Sequence, residues 1–316
     1  MSFGTNYTIP EHTRQQFQDA FLAAVQQNDS KFSAVTNIDP AWTAPQYTKR
    51  MADTQDWFVN NSRFGKNTAK EFEGGFRSGF KQNLDMRPVK FDRNDQKLLD
   101  TIALPTGRVL QDAMAGLNRI KDDLFIDAAL APSLGGPRPH ITPTNFPASQ
   151  VVPVNYVKPG TAVGSNSGLH IWKILRAKTL FEKAFVDLDR EELVLAISPD
   201  DKTNLILSAE AAYSESWAKT VLAWFEKYEG GDRMHKLHGF QVITTTRLNV
   251  ASNITSCLAF AKRAFCWAPV GGVQTHIDVL AESRHAIQVA AYAEFGVFRV
   301  FDEMVLELPC DNTNNA

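Results

Sequence analysis

The sequence predicts an α+β fold. Helical and strand-like stretches intermix without the strict strand–helix rhythm of a doubly wound sheet, and no internal repeat is visible. The third observation is Pro105 to Ala131, PTGRVLQDAMAGLNRIKDDLFIDAALA, the longest stretch that reads as one uninterrupted helix. Leu110, Met114, Leu117, Leu124 and Ala128 follow the three-and-four step of a helix burying one face, widened by Ile120 and Phe125. Asp112, Asn118, Lys121 and Asp122 fall opposite. Pro105 suits a first turn, and Pro132 with Gly135-Gly136 ends the helix. At about 1.5 Å per residue it spans roughly 40 Å. Its apolar stripe is expected to face the chain's own sheet.

The elements before this helix cannot stand alone. In residues 1–54, Pro10 to Gln27 reads as a short amphipathic helix with Phe17, Phe21, Leu22 and Val25 on one side. An extended stretch broken by Pro40 and Pro45 follows it. One helix and one strand bury too little to fold by themselves, so this arm is expected to lie across the main body or a neighbouring subunit.

Residues 55–98 carry Trp57, Phe58, Phe64, Phe72, Phe76, Phe80 and Phe91 among basic residues such as Arg63, Lys66, Lys70, Arg77 and Lys81. Gly65, Gly74, Gly75 and Gly79 interrupt any helix, which leaves a long hairpin or loop. A two-stranded ribbon is marginal in water, and exposed aromatics with open edges need cover. Docking on another chain supplies it. Trp57, Phe58, Phe64, Phe72, Phe76, Phe80, Arg77 and Lys81 are therefore the candidate inter-subunit contacts. Aromatics among lysines also occur at nucleic-acid interfaces, but here the charge is diluted and GGFRSG completes no phosphate loop.

Beyond the long helix, 132–167 reads as loop with short strands such as QVVPVNYV. Gly168 to Asp187 reads as a second amphipathic helix, EELVLAISP as a strand, and residues 200–231 as mostly helical. LHGFQVITTTRL, SCLAFAKRAFCWAP, THIDVLAES, RHAIQVAAYAEFGVFRVF and FDEMVLELPC then give a strand-rich end.

The 316 residues carry a net charge of −2, so no global basic field points to nucleic acid. No apolar run has the length of a membrane span, and the N-terminus lacks the features of a secretion signal. Cys257, Cys266 and Cys310 match no metal or redox spacing and read as reduced thiols. The histidines are His12, His140, His170, His235, His238, His276 and His285. Only Asp232, His235 and His238 cluster, in what reads as a polar turn. Asp187, Asp189, Glu191 and Glu192 lack the frame of a calcium loop. No catalytic motif is present. No cofactor, metal ligand or catalytic residue is assigned.

Four phrases carry a family likeness: ELVLAISPDDKTNLI (192–206), KLHGFQVITTTRL (236–248), CLAFAKRAFCWAPVGGVQTHID (257–278) and AIQVAAYAEFGVFRVFDEMVLELPC (286–310). A strand ending in Ser-Pro leads into a helix, a G-F-x-V/I-x-x-T-x-R-L strand follows, and the chain closes on a long hairpin and an R-x-x-D/E strand. In that order they resemble the major capsid proteins of tailed bacteriophages, the Hong Kong 97-type fold. The resemblance implies an N-terminal arm (1–54), an extended β-ribbon loop (55–98) and a peripheral domain (99–167 and 257–299) with spine helix 105–131. It implies an axial domain from 168–256 and 300–316. It further implies pentamers and hexamers closing an icosahedral shell around double-stranded DNA held without sequence-specific contacts, assembled in the host cytoplasm, with no membrane. A separate scaffolding protein and a portal are implied partners, since 1–54 is too short for a fused scaffolding domain, and decoration proteins stay open. Lys66, Lys70 or Lys81 would be donors if loops cross-link, as in some relatives. The rivals are an encapsulin-like compartment shell and a soluble oligomeric enzyme using His235, His238 or the Asp187–Glu192 cluster.

Overall fold

Helices and strands intermix without βα alternation in the computed structural model, which describes residues 27, 29–51, 59, 61, 74–91, 106–135, 141–158, 160, 164, 166–212, 215–229, 236–269, 273–283 and 285–313. The expected helix before Gln27, residues Trp57, Phe58, Phe64, Phe72, Lys66 and Lys70, and His12, His140 and His235 lie outside them. In chain order come strands β1 (Gln46–Arg50), β2 (Phe76–Phe80), β3 (Gln82–Asp85) and β4 (Val89–Phe91), helix α1 (Thr106–Leu130), and strands β5 (Ser133–Gly135) and β6 (Thr142–Thr144). Helix α2 (Ile171–Lys183), strand β7 (Leu193–Ile197) and helices α3 (Pro199–Ala211) and α4 (Ser216–Glu229) follow. The remainder is strand-rich: β8 (Lys236–Leu237), β9 (Phe240–Thr244), β10 (Val250–Ala251), β11 (Ile254–Ala261), β12 (Phe265–Trp267), β13 (Gln274–Leu280), β14 (Ala286–Phe295), β15 (Val297–Arg299) and β16 (Val305–Asp311).

The chain divides into two compact units. The smaller comprises Met1–Ser30, Asn83–Ile120 and Val270–Glu294. Within it β14 pairs antiparallel with β13 along seven residue pairs and with β4 at Val89–Phe91. The first part of α1 belongs to this unit.

The larger unit comprises Lys31–Gln82, Lys121–Pro269 and Phe295–Ala316. Its main sheet runs β10-β11-β7-β9-β8, with β16 antiparallel on β11. β7 is buried at all five positions, as a central strand rich in Leu, Val and Ile should be. It pairs in parallel with β9, and α3 and α4 make the crossover. Ser198 starts α3 with a capping box, its hydroxyl accepting from the Asp201 amide at 3.1 Å while Pro199 fills the first turn. Pro309 is tolerated in β16 because that strand lies at the edge of its sheet, paired with β11 on one side and meeting on the other only an isolated bridge from Glu307 to Val151. A second sheet, β1-β2-β5-β6, and the β12–β15 pair complete the unit.

The described part of the arm lies in this unit's own core. Phe32 stacks on Phe125 at 4.6 Å, and Phe125 also meets Phe260, Phe265 and Trp267. Trp42 packs edge-on to Phe298. The described residues of the arm from Lys31 onward therefore pack into their own body.

The expected stripe on α1 needs correcting. Met114 is 42% and Ile120 44% exposed, and Leu117 and Leu124 are only partly buried. Phe125 is buried as expected, but its companions are Ala115, Ile126 and Ala129, together with Asp122 from the expected polar side, which accepts the Lys31 amide at 3.0 Å. Periodicity locates a stripe without weighing its partners, and the aromatic cluster draws Phe125 inward. QVVPVNYV likewise forms only an isolated bridge at Val151 with Glu307. The SCLAFAKRAFCWAP run is split into β11 and β12 by a 3-10 turn at Lys262–Ala264.

Candidate assembly surfaces

β1 and β2 form an antiparallel ribbon in the register Gln46 with Phe80 through Arg50 with Phe76. The ribbon thus begins in the residues expected to belong to the arm, and β3 and β4 serve the other sheet. Thr48 and Ser78 share a hydroxyl hydrogen bond at 2.9 Å, Lys81 donates to the Thr43 carbonyl at 3.0 Å, and the Arg50 guanidinium lies 5.9 Å from the centre of the Phe76 ring. Glycine is required at two close approaches. A Cβ on Gly79 would enter the Phe298 ring, and one on Gly296 would come within 2.7 Å of Trp42.

An ion-pair network fixes the ribbon's base. Arg77 donates to Asp302 Oδ2 at 2.6 Å, and Arg299 Nε donates to Asp302 Oδ1 at 2.6 Å. Arg299 Nη1 also donates to the carbonyls of Ala129 at 2.5 Å and Ala131 at 3.0 Å. Arg299 is 1% exposed and lies over the Phe146 ring. One carboxylate thus joins two guanidiniums, and Arg299 satisfies carbonyls at the C-terminal end of α1, where a cation is favoured.

Of the candidate contacts, the structure brings Phe76, Arg77, Phe80 and Lys81 together on β2 and just after it. Arg77 is held by Asp302 of its own subunit, Phe76 and Lys81 are half-buried, and Phe80 is exposed. Sequence reasoning missed Arg299 and Asp302. Their i,i+3 spacing within the R-x-x-D phrase was the available signal, but nothing local says that both would be buried. The amphipathic reading of Gly168 to Asp187 also counted Phe185 with Phe181 on the apolar side; the helix ends at Lys183, and Phe185 is exposed in left-handed conformation at φ 56°.

The smaller unit presents apolar surface. β13 is exposed along nearly its whole length, including Ile277 and Val279. A hollow of about 370 Å³ is lined by residues that include Met86, Met114, Leu117, Ile120 and Tyr292.

The acidic turn does not converge. Arg190 pairs with Asp187 at 3.4 Å, Arg263 with Glu191 at 3.4 Å and Lys262 with Glu192 at 3.2 Å. Burial, then Lys178, lowers the basicity of His238. His170 is driven down to about 4 by burial and then by the Lys173 ammonium, and its Nε2–H faces the Tyr156 carbonyl at 2.8 Å. Among the described residues one potential ligand trio converges, Asp201, Cys257 and Cys310, all buried. Burial and the neighbouring Cys310 and Asp201 push the Cys257 thiol up, so it stays protonated and donates to Asp201 Oδ2 at 3.1 Å. That oxygen also accepts the Ser198 hydroxyl at 2.6 Å, and Lys173 donates to the carbonyls of Ser167 and Pro309 at 2.7 and 2.8 Å. The arrangement locks α2 and α3 to the sheet. Cys266, also buried, is pushed up to about 12, so neither thiol is poised as a nucleophile. No helix among the described residues is long and apolar enough to cross a membrane.

Comparison with known proteins identifies the family. A family model described as phage capsid protein matches residues 9–312. No curated protein gives a match to the sequence. Among solved structures, the capsid of Ralstonia phage GP4 is similar at a TM-score of 0.66 and 14% identity, covering 98% of this chain and 98% of that one. The cyanophage Pam1 capsid gives 0.64 at 10% identity over 98% of this chain and 99% of that chain. The head structure of Helicobacter pylori bacteriophage KHP40 gives 0.63 at 11% identity over 99% of both.

Proposed function

The chain belongs to the phage capsid protein family, and from that premise we propose that its copies close into the pentamers and hexamers of an icosahedral shell around packaged double-stranded DNA. It is a structural major capsid protein of the Hong Kong 97-type fold, and it self-assembles into the capsid of the virion. Its work is assembly and not catalysis, carried out in the host cytoplasm.

The observation that carries the ring reading is apolar surface left open on folded units. Phe80 and Phe185 of the larger unit and Ile277 and Val279 of the smaller one are exposed in the single subunit, the last two along the edge strand β13, and an exposed apolar edge strand needs cover from another chain. Heterologous contacts that close on themselves give five- and sixfold rings. Residues 1–54 act as the arm and 55–98 as the extended loop, with β1 as the loop's returning partner. Residues 99–167 with 257–299 form the peripheral domain, and 168–256 with 300–316 the axial one. The exposed face of Phe80 and the loop aromatics Trp57, Phe58, Phe64 and Phe72 contact the neighbouring subunit. The near-neutral chain confines DNA by shell geometry and does not grip it. A separate scaffolding protein and a portal complete the assembly.

Negative-stain microscopy of the expressed chain, with and without the phage's scaffolding protein, tests this reading. Shells, or sheets and tubes built of hexamers, are expected. Small compact particles under every condition would overturn it.

A further inference from the structure

Helix α2 ends in a Schellman turn whose left-handed position is occupied by a phenylalanine. The Val186 amide donates to the Phe181 carbonyl at 3.0 Å and the Phe185 amide to the Glu182 carbonyl at 3.1 Å. Phe185 itself sits at φ 56°. Glycine is the usual residue there, because a side chain strains this conformation. Phe185 is also 96% exposed. A large aromatic kept in a strained position with its ring in water does nothing for its own subunit. Exposed carboxylates flank it at Glu182, Asp187 and Asp189, with Lys183 and Arg190 beside them.

The same unit carries a feature of complementary character. A hollow of about 440 Å³ is lined by Lys219, Thr220, Ala223, Trp224, Lys227 and Lys236, from one face of α4 and the adjoining edge strand β8. Trp224, nearly buried, lines it together with three lysines, and no acidic residue is among the described residues of the lining. Lysine ammoniums attract the face of an aromatic ring, their stems pack against it, and carboxylates complete the set.

Resting on the ring reading above, we infer that Phe185 of one subunit inserts into the lysine-rimmed hollow of the next copy in the same capsomer. The occupant is a second copy because an aromatic flanked by exposed carboxylates at one place and a lysine-rimmed hollow at another are complementary in charge and shape, and every subunit carries both. That asymmetry is what a head-to-tail contact needs to close a ring. The knob's exposure shows that it does not fill its own subunit's hollow.

Cross-linking tests the contact. Replace Ala184→Cys, which keeps the Phe185 side chain, and Ala223→Cys in one chain, assemble it, and oxidise with oxidised glutathione; the native cysteines are buried. A non-reducing gel should show a covalent ladder reaching five and six subunits, and each single substitution alone should give none. Shells without a ladder overturn the contact but leave the capsid reading standing. Failure of the unsubstituted chain to form rings or shells overturns both. Phe185→Gly supplies the second arm. It relaxes the backbone, so folding is preserved, while shell yield should fall by about tenfold or more, as for loss of a buried aromatic anchor. Full yield from that variant, or normal shells with reduced DNA from Lys219→Glu/Lys227→Glu, would assign the hollow elsewhere and sink the inference.

Discussion

Arg299 shows how much a single side chain can hold. It is buried, joins Asp302 to two carbonyls at the end of α1, and shares Asp302 with Arg77 at the base of the ribbon. Replacing it with Met leaves a buried carboxylate with one cation and strips two carbonyls of their donor, so Arg299→Met should cost about 3–5 kcal/mol. A lower urea midpoint with an unchanged slope would show it, and an unchanged midpoint would refute it. His170 gives a pH signature. Unfolded, it takes up its proton as pH falls through 6.5, whereas in the fold it waits until about 4. Its contribution is therefore whole above 6.5 and disappears between 6.5 and 4. A His170→Asn chain should lose up to on the order of 3 kcal/mol less stability across that window. Parallel pH–stability curves for the two chains would remove the explanation. Neither residue could be read in advance, because burial of a charge depends on partners far away in the chain.

At the scale of elements, legibility followed local chemistry. Ser198-Pro199-Asp200-Asp201 is a helix start that sequence alone displays, and α3 begins there with its box closed. The strand readings EELVLAISP (191–199) and FDEMVLELPC (301–310) became β7 and β16, the second only from Val305 onward because Asp302–Met304 form a 3-10 turn. The face of α1 was only partly legible: Phe125 was read on the apolar side, but the stripe of Met114, Leu117 and Leu124 is as regular as the one that buries Ala115, Ile126 and Ala129 with it. Only Phe32 and Phe260, supplied from elsewhere in the chain, decide between them. The cap allows an element-scale test. Ser198→Ala removes a hydrogen bond to the fully buried Asp201 as well as the cap itself. It should destabilise the larger unit by about 1–2 kcal/mol. Amide exchange would then quicken first in the opening turn of α3, and unaltered protection there would show that the cap contributes little.

For the whole molecule, the question is how weakly built parts make a durable shell. Each arm or loop contact can be modest, because a subunit engages several neighbours together and effective concentration multiplies their strength. Removing one class of contact should then abolish assembly while leaving the subunit intact. The segment to remove is narrower than 55–98. β2 pairs with β1, Gly79 lies against Phe298 and Arg77 pairs with Asp302, so the wider deletion would open the core. Deleting 52–73 and closing the gap with a short Gly-Ser link keeps both strands and shortens the loop that joins them, which lowers its closure entropy. The variant's thermal midpoint should stay within about 2 °C of the full chain, the shift expected when no packed group is lost. Under the electron microscope it should yield free subunits or isolated rings where the full chain gives shells. Shells of normal size from the deleted chain would show that the segment between β1 and β2 carries none of the joining contacts. A collapsed midpoint would show that it belongs to the fold and not to the neighbour.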